Sequence, residues 1–481
     1  MRVAVLGQGS AGRRHAQLAL QLGHELTVYD PNPAASAPVG AERAGSVEEC
    51  LQGAQAAVIA SPSSAHAAQA RAAIEHGVAT LVEKPLALDA ARAAELEWLA
   101  HERGTLLSVA MNLREHPGVL RLQETLAAGA IGEILLARAR CGSWLPGWRA
   151  GDYRDSYSAR RELGGGVLLD VAVHELDYLL LLAGPARSVT AVTSHVSPLQ
   201  GDVEDVALLA LELADGGVAE LSVDYFDRAY TRGCRIAGTH GTLDWSWEEQ
   251  SLTHHRADGT ARREPIASDV AATYRAQLER FLSAAQQAEP PPVPAAQARD
   301  VLAVIDAARV SAREGRRIGV APPVRLRDVG ARDAQLLLAW RNDPQTRRWS
   351  REQSEIAPAA HDAWLAAALA DPGVWLWIAE LAGRSVGCVR VGPLVEGHAE
   401  IHVSLDADER GLGLGTAVLQ QGAAQALTAP GLHTLHAHVK PENGASLTVF
   451  ARAGFEPVRV DEEGLVRLER TRVEPRIGAL R

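Results

Sequence analysis

A chain of 481 residues, 47% hydrophobic and 22% charged, is globular and long enough for about two to four domains, which excludes overall disorder. A formal charge of −11 argues against a nucleic-acid partner, because a phosphate backbone would be repelled on average. No apolar run is long enough to span a bilayer, nothing at the N-terminus reads as a secretory signal, and Cys50, Cys141, Cys234 and Cys388 are widely spaced, so a reducing cytoplasm is expected.

Residues 1–120 alternate short β-rich runs with alanine-rich helical stretches. Val3–Leu6, Leu26–Tyr29, Ala57–Ile59, Thr80–Val82 and Leu106–Val109 read as strands, with amphipathic stretches at Arg13–Leu22 and Ala65–His76. That alternation predicts an α/β domain with a doubly wound parallel sheet. Over 121–321 a helix at Leu120–Ala128 precedes strands in succession: Ile134–Arg140, Val189–Ser194, Val206–Leu213, Val218–Phe226, Cys234–Ala237 and Gly241–Trp245. Strands in series predict an α+β domain with a mainly antiparallel sheet, closed by helices at Tyr274–Gln287 and Ala295–Arg313. Pro322-Pro323 marks a boundary, and a third unit is expected over 324–475.

The first strand runs into Gly7-Gln8-Gly9-Ser10-Ala11-Gly12, a helical stretch follows, and Asp30 ends the second strand. Between strand and helix this is the Rossmann dinucleotide fingerprint. The glycines let pyrophosphate approach backbone amides at a helix N-terminus. Asp30 would accept a hydrogen bond from the adenosine ribose and repel a 2′-phosphate, which favours NAD over NADP.

Only two of the 48 basic side chains are lysines, Lys84 and Lys440. Where arginine prevails, a retained lysine points to a task guanidinium cannot do, and an ammonium can release a proton. Lys84 lies in Glu83-Lys84-Pro85, directly after a strand. Further on, Gly164-Gly165-Gly166 precedes Asp170, His174 and Asp177, which would share one face of a regular, otherwise apolar helix. Such a stripe is either a hydrogen-bonded buried pair or a site of chemistry. Oxidising a carbinol needs a base, for which His174 is suited, and a cation beside the developing alkoxide, for which Lys84 is suited.

These residues resemble the Gfo/Idh/MocA oxidoreductase family, named for glucose–fructose oxidoreductase and inositol dehydrogenase. The resemblance covers about residues 1–320 and rests on Gly7–Gly12 with His15, Ser61-Pro62 to His66, Glu83-Lys84-Pro85, Asn112 and Arg114, Gly132, and Asp170/His174. It implies Lys84, Asp170 and His174 as the catalytic trio, a cofactor site that includes Ser61, Pro62, His66 and Glu83, and a substrate contact by Arg114. Glu115 stands where that motif frequently has an aromatic residue. The stretch Trp144–Tyr153 resembles a variable substrate loop, in which Trp148, Arg149 and Tyr153 suit a sugar face plus an anionic group. A surface loop packed by its own tryptophans is the other reading.

In the third unit Arg410-Gly411-Leu412-Gly413-Leu414-Gly415-Thr416 lies between a strand and a helix, with Asn443, Ser446 and Gly454-Phe455 downstream. This arrangement resembles the GNAT N-acetyltransferases. It implies an α/β GNAT fold and acetyl-CoA held by Arg410, Gly411, Gly413, Gly415, Thr416, Asn443 and Ser446. Trp340-Arg341-Asn342-Asp343 and His361 to Trp364 resemble members that acetylate amino sugars. On the strand before the turn, His398, Glu400 and His402 alternate onto one face. Glu400 is the first choice for the base that deprotonates the amine, and His402 the second. No metal is expected. Phe450 stands where the family often has a proton-donating tyrosine.

The expected function is therefore a bifunctional enzyme of amino-sugar biosynthesis, with a nucleotide-linked small-molecule sugar as substrate. The first half would form a ketone, a separate aminotransferase would install an amine, and the third unit would acetylate it. A homo-oligomer is expected, with no nucleic-acid or membrane partner. The alternative is an NAD(H)-sensing regulatory protein with a protein or small-amine acetyltransferase.

Overall fold

The computed structural model describes residues 1–148, 151–320, 324–381, 384–410 and 414–472. The chain divides into two compact units, Met1–Val320 and Ala321–Arg481. Among the described residues no helix is long and apolar enough to cross a membrane.

The first unit opens with a six-stranded sheet of β1 (Arg2–Leu6), β2 (Glu25–Tyr29), β3 (Ala41–Arg43), β4 (Ala56–Ile59), β5 (Ala79–Glu83) and β6 (Leu107–Ala110) in the order β3-β2-β1-β4-β5-β6. Every pairing is parallel. β4 is buried along its whole length, so a continuous apolar run replaces alternation. The helix Ser10–Gln21 buries Gly12, His15, Ala16 and Ala19, one stripe at helical spacing, against this sheet. A helix not read from the sequence, Ala90–Arg103, carries its own punctuation. The Asp89 side chain accepts from Arg92 N at 2.9 Å, and Gly104 ends the helix at φ 60°.

The same unit continues into a nine-stranded sheet: β7 (Ile134–Gly142), β8 (Ala186–Ser194), β9 (Val206–Leu213), β10 (Val218–Asp224), β11 (Thr231–Gly238), β12 (Gly241–Ser246), β13 (Ser251–Arg256), β14 (Ala261–Pro265) and β15 (Ile318–Gly319). Its order is β14-β13-β12-β11-β7-β10-β9-β8-β15, antiparallel except for β7 beside β10. β9 alternates buried and open residues, the mark of one covered face. The helices Val173–Ala183 and Ala295–Glu314 cover it.

The second unit holds β16 (Arg325–Asp328), β17 (Trp375–Leu381), β18 (Arg384–Val391), β19 (His398–Leu405), β20 (Thr434–Val439), β21 (Glu456–Val460) and β22 (Val466–Thr471), ordered β16-β17-β18-β19-β20-β22-β21. β19 and β20 run parallel and pair only over His398–Glu400 opposite Thr434–His436. Phe450 is 3% exposed and packs edge-on against Phe455, so it belongs to the core of this unit.

Candidate functional sites

The glycines of the first turn have distinct tasks. A Cβ on Gly12 would stand 1.9 Å from the Gly7 carbonyl oxygen, and one on Gly7 would stand 2.6 Å from the Ala60–Ser61 backbone. Those two let helix, turn and β4 close on one another. A Cβ on Gly9 would meet nothing within 4 Å. The space beside Gly9 is open, and the first-turn amides of Ser10 and Ala11 have no partner within the helix. The turn therefore fits a pyrophosphate. Asp30 is held beside it by amide donation from Gln8 at 2.6 Å and Asn32 at 2.9 Å.

Other residues implied for the cofactor have partners within the protein. His66 is 1% exposed, and its ring nitrogens lie 2.7 Å from the Pro85 carbonyl and 2.9 Å from the Ser61 carbonyl. It ties the turn after β4 to the turn after β5. Pro62 starts the helix Ser63–Glu75, and the Ser61 hydroxyl donates to Gln69 at 2.7 Å. Glu83, also buried, meets His15 Nε2 at 2.9 Å. Burial would raise the Glu83 pKa, but the His15 hydrogen bond and charge, then Lys84, hold it below its usual value.

The Lys84 ammonium donates to Asp170 Oδ1 at 2.7 Å and to the Asp170 carbonyl at 2.8 Å. Tyr157 donates to the same Oδ1 at 2.5 Å, and Tyr225 to Oδ2 at 3.3 Å. Burial works against both charges of the pair, yet their attraction outweighs it. Lys84 is held well above its usual pKa, and Asp170 well below its own. The pairing with Asp170 thus holds Lys84 as a cation. His174 is pulled far down by burial, and then by the charges of Lys84 and Arg232. It is a neutral imidazole within the field of the Lys84 ammonium, with Nδ1 buried and without a hydrogen-bond partner among the described residues.

The regular helix with one polar face is corrected too. Leu168–Ala172 forms a π turn, and the α-helix starts only at Val173. A widened turn breaks the i, i+4, i+7 register, a local distortion that recurs at functional sites. Asp177, three residues beyond His174 in the α-helix, accepts both prongs of Arg114, at 2.8 and 2.6 Å, with Asp177 2% exposed. Arg114, expected to reach substrate, is thereby fixed in a buried ion pair.

The triple glycine explains how Tyr157 reaches Asp170. A Cβ on Gly165 would lie 2.2 Å from the Tyr157 carbonyl oxygen and 2.7 Å from that of Ser158; one on Gly166 would strike the Glu204 carboxylate. With no side chains there, the 157–160 loop lies directly on the start of the Asp170 segment. A cavity of about 360 Å3 opens beside this loop, lined by Trp148, Tyr153, Ser156 and Ser158 among others. Trp148 meets Tyr225 edge-on at 5.4 Å, which connects the cavity wall to Asp170. Arg149 lies outside the described residues.

In the second unit Gly415 and Thr416 lie at the start of the helix Leu414–Ala426, while Gly411 and Gly413 lie outside the described residues. Arg410, expected at the cofactor, donates to Asp343 at 2.7 Å, Thr346 at 3.0 Å and the Leu405 carbonyl at 3.1 Å. Asn443 accepts from Ser446 N at 3.1 Å and caps the helix Gly444–Arg452. Lys440 donates to the Arg348 carbonyl at 2.9 Å.

Glu400 Oε1 lies 3.1 Å from His438 Nδ1, and Oε2 lies 3.4 Å from His402 Nε2, without hydrogen-bond alignment in the second case. Asp461 stands 3.7 Å from His438 Nε2. Burial would raise the Glu400 pKa, but His402, then His438 and Arg351, hold it far below the carboxylate range. A carboxylate so stabilised is held as an anion beside His402. His402 is lowered by burial and so neutral, hence able to accept. The two histidines of β20, His436 and His438, were not singled out from the sequence. Their H-x-H spacing on a strand, mirroring His398-x-Glu400-x-His402, is the signal that marks them. Among the described residues no cluster of His, Cys, Asp and Glu could hold a metal ion.

Fold and sites define a dinucleotide-binding oxidoreductase followed by an acyl-transfer domain. The family model described as "Oxidoreductase family, NAD-binding Rossmann fold" matches residues 1–111, and "GFO/IDH/MocA C-terminal domain" matches 119–244. "Acetyltransferase (GNAT) domain" matches 324–456. The chain belongs to the Gfo/Idh/MocA oxidoreductase family and carries a C-terminal GNAT domain, so its cosubstrates are NAD and acetyl-CoA. UDP-N-acetylglucosamine 3-dehydrogenase of Acidithiobacillus ferrooxidans is 31% identical over 301 residues, which is 59% of this chain and 88% of that protein. Myo-inositol dehydrogenase Hyg17 of Streptomyces leeuwenhoekii is 29% identical over 304 residues, with the same two shares. A solved levoglucosan dehydrogenase in complex with NADH superposes with a TM-score of 0.61 at 22% identity, covering 66% of this chain and 99% of that one, a likeness of fold.

Proposed function

We propose that the chain is a bifunctional enzyme of nucleotide-linked amino-sugar biosynthesis: the first unit oxidises a sugar hydroxyl to a ketone with NAD, and the second N-acetylates an amino sugar from acetyl-CoA. One observation carries the redox half. A cation held charged by Asp170 and a neutral imidazole in its field converge after β5 of an NAD-binding sheet. When bound, the nicotinamide is the hydride acceptor. His174 takes the hydroxyl proton, and the Lys84 ammonium stabilises the oxygen as it becomes anionic. Asp170 anchors Lys84, and the cavity beside Tyr157 receives the sugar, with Trp148 and Tyr153 in its wall. Asp30 at the end of β2 supports NAD over NADP.

In the second unit the free amine attacks the thioester carbonyl, the carbon–sulfur bond breaks and coenzyme A leaves as its thiolate, and the surplus amine proton passes to His402, with the Glu400 anion stabilising the imidazolium that forms. Acetyl-CoA belongs at the helix Leu414–Ala426 and in the gap where β19 and β20 part. The pairing of activities implies a separate aminotransferase between them, and the open face of the nine-stranded sheet suits a homo-oligomer. The relative named for UDP-N-acetylglucosamine supports a nucleotide sugar. The test is to supply the purified chain with NAD+ and a panel of UDP- and dTDP-linked sugars, and with acetyl-CoA and their amino derivatives. NADH formation and acetylated sugar are expected. Absence of NADH with every member would overturn the redox half; acetylated polypeptide in place of sugar would overturn the other.

A further inference from the structure

Three arginines on the acceptor side of the second unit make no salt bridge within 4 Å among the described residues, although Glu400 and Glu352 lie in the field of two of them. Arg390 on β18 stands directly opposite His402 on β19. Residues opposed across an antiparallel pair share a face, so Arg390 lies on the face that carries Glu400. Its guanidinium is 6.0 Å from the ring centroid of Trp364, a tryptophan 39% exposed. Arg341, on the helix Ala334–Asn342, donates through Nη2 to the Glu352 carbonyl at 2.7 Å, while its Nη1 is buried with no partner among the described residues. Arg347, on the helix Pro344–Trp349, likewise has a buried, unpartnered Nε.

These guanidiniums also act on one another. Burial, then the charge of Arg341, pulls Arg390 below its usual pKa, though Glu400 opposes the shift. Burial and Arg347 do the same to Arg341. Buried guanidinium N–H groups without acceptors are costly unless a ligand satisfies them.

We propose that Arg390, Arg341 and Arg347 form an anion-binding subsite beside Glu400, so that the acetylated amine belongs to a phosphate-bearing molecule, a sugar diphosphate ester being the class that fits. The proposal rests on the reading of this unit as an amino-sugar acetyltransferase and adds which part of the acceptor the protein grips. Three forked donors match phosphate oxygens, and exposed Trp364 offers a face on which a sugar or base ring can lie. Coenzyme A also carries phosphates. The position of Arg390 opposite His402, where the amine must lose its proton, favours the acceptor.

The experiment uses the full chain and its R390A, R341A and R390K variants, with acetyl-CoA and two acceptors, UDP-glucosamine and free glucosamine. Wild type should prefer UDP-glucosamine in kcat/KM. R390A and R341A should each erase that preference by ~10–100-fold through the acceptor KM, the cost of one charge-assisted contact, with the acetyl-CoA KM unchanged. R390K, which keeps the charge and loses the fork, should fall between. A raised acetyl-CoA KM with the acceptor preference intact would assign the cluster to coenzyme A and overturn the proposal, as would a wild type indifferent to the diphosphate. If neither sugar is acetylated, the amino-sugar reading fails. Calorimetric titration with UDP in saturating coenzyme A then decides the subsite alone: binding present in wild type and lost in R390A upholds it, and equal binding in both overturns it.

Discussion

Lys84 and Asp170 sit 2.7 Å apart with little solvent contact, Lys84 in the turn after a parallel strand and Asp170 in a π turn 86 positions later. Each charge makes the other tenable, so the pair links the two sheets of the first unit through its chemistry. Replacing Lys84 with Ala is expected to lower sugar oxidation by ~10²–10⁴-fold, the range for a group that acts in the transition state. It should also lower stability by ~3–5 kcal/mol, because Asp170 is left as an uncompensated buried charge. The K84A/D170A double variant should recover part of the stability and none of the turnover. Melting temperatures and steady-state rates of the three proteins check this, and full additivity of the two losses would contradict it.

Tyr157 acts through Asp170. It donates at 2.5 Å to the oxygen that also receives Lys84, so Tyr157→Phe removes a hydrogen bond to a charged acceptor worth about 1.5–3 kcal/mol. Sugar turnover should drop ~10-fold or more while NADH affinity, measured by fluorescence titration, stays unchanged. Tyr225→Phe, which removes a contact of 3.3 Å, should have the smaller effect. Equal effects from the two substitutions would count against this ranking.

The three glycines of the first turn separate folding from cofactor binding. Gly9→Ala places a methyl where no protein atom lies within 4 Å. Its melting temperature should match wild type, while NADH binding weakens through obstructed amide–phosphate contacts, each worth about 1.5–3 kcal/mol. Gly12→Ala drives a methyl into a carbonyl 1.9 Å away and should destabilise the unit by about 1–3 kcal/mol or more. A melting curve and an NADH titration on each variant suffice.

Most of the parallel sheet was legible because its strands and glycine turn carry local signals: apolar runs, a fingerprint spacing, an acid at a strand end. Lys84, Asp170 and His174 were legible as residue types, but their arrangement was not, since a π turn leaves no mark in the hydrophobic period. Arg114, His66 and Arg410 read as ligand-binding groups. Whether a polar side chain meets a ligand or a buried partner, such as Asp177, a backbone carbonyl or Asp343, depends on contacts distant in sequence. β14 was missed because it lies at the sheet edge, where polar residues are tolerated, and β13 beside it because its sequence SLTHHR carries no apolar alternation.

Acid should weaken the first unit in a defined window. His116 is fully buried, accepts from Gly118 N through Nδ1 at 3.0 Å, and lies 3.0 Å from Ser268 Oγ through Nε2. Burial, then Arg232, lowers its pKa from 6.5 to about 4. Between those values the unfolded chain binds the proton that the folded chain refuses, so stability is full above the unfolded value and falls as pH drops toward the folded one. The loss amounts to about 3 kcal/mol at 1.36 kcal/mol per unit. Denaturant melts at pH 7 and pH 5 should show the decline, and His116→Gln should flatten it. An unchanged slope in that variant would remove His116 from the account.

The sharpest test of the acetyl-transfer site is the sign of a pH shift. His402 must be neutral to accept the proton of the amine, so kcat/KM should fall on the acid side as His402 becomes charged. Glu400 stands 3.4 Å away and favours the imidazolium, partly opposing the burial that lowers His402. Glu400→Gln removes that support. The acid limb should therefore move to lower pH while a substantial rate remains, and His402→Gln should cost ~10²–10⁴-fold in kcat. If Glu400 were itself the base, E400Q would take the larger loss and abolish the acid limb. The two variants, measured across pH with the same acceptor, separate a carboxylate that supports an imidazole from one that takes the proton.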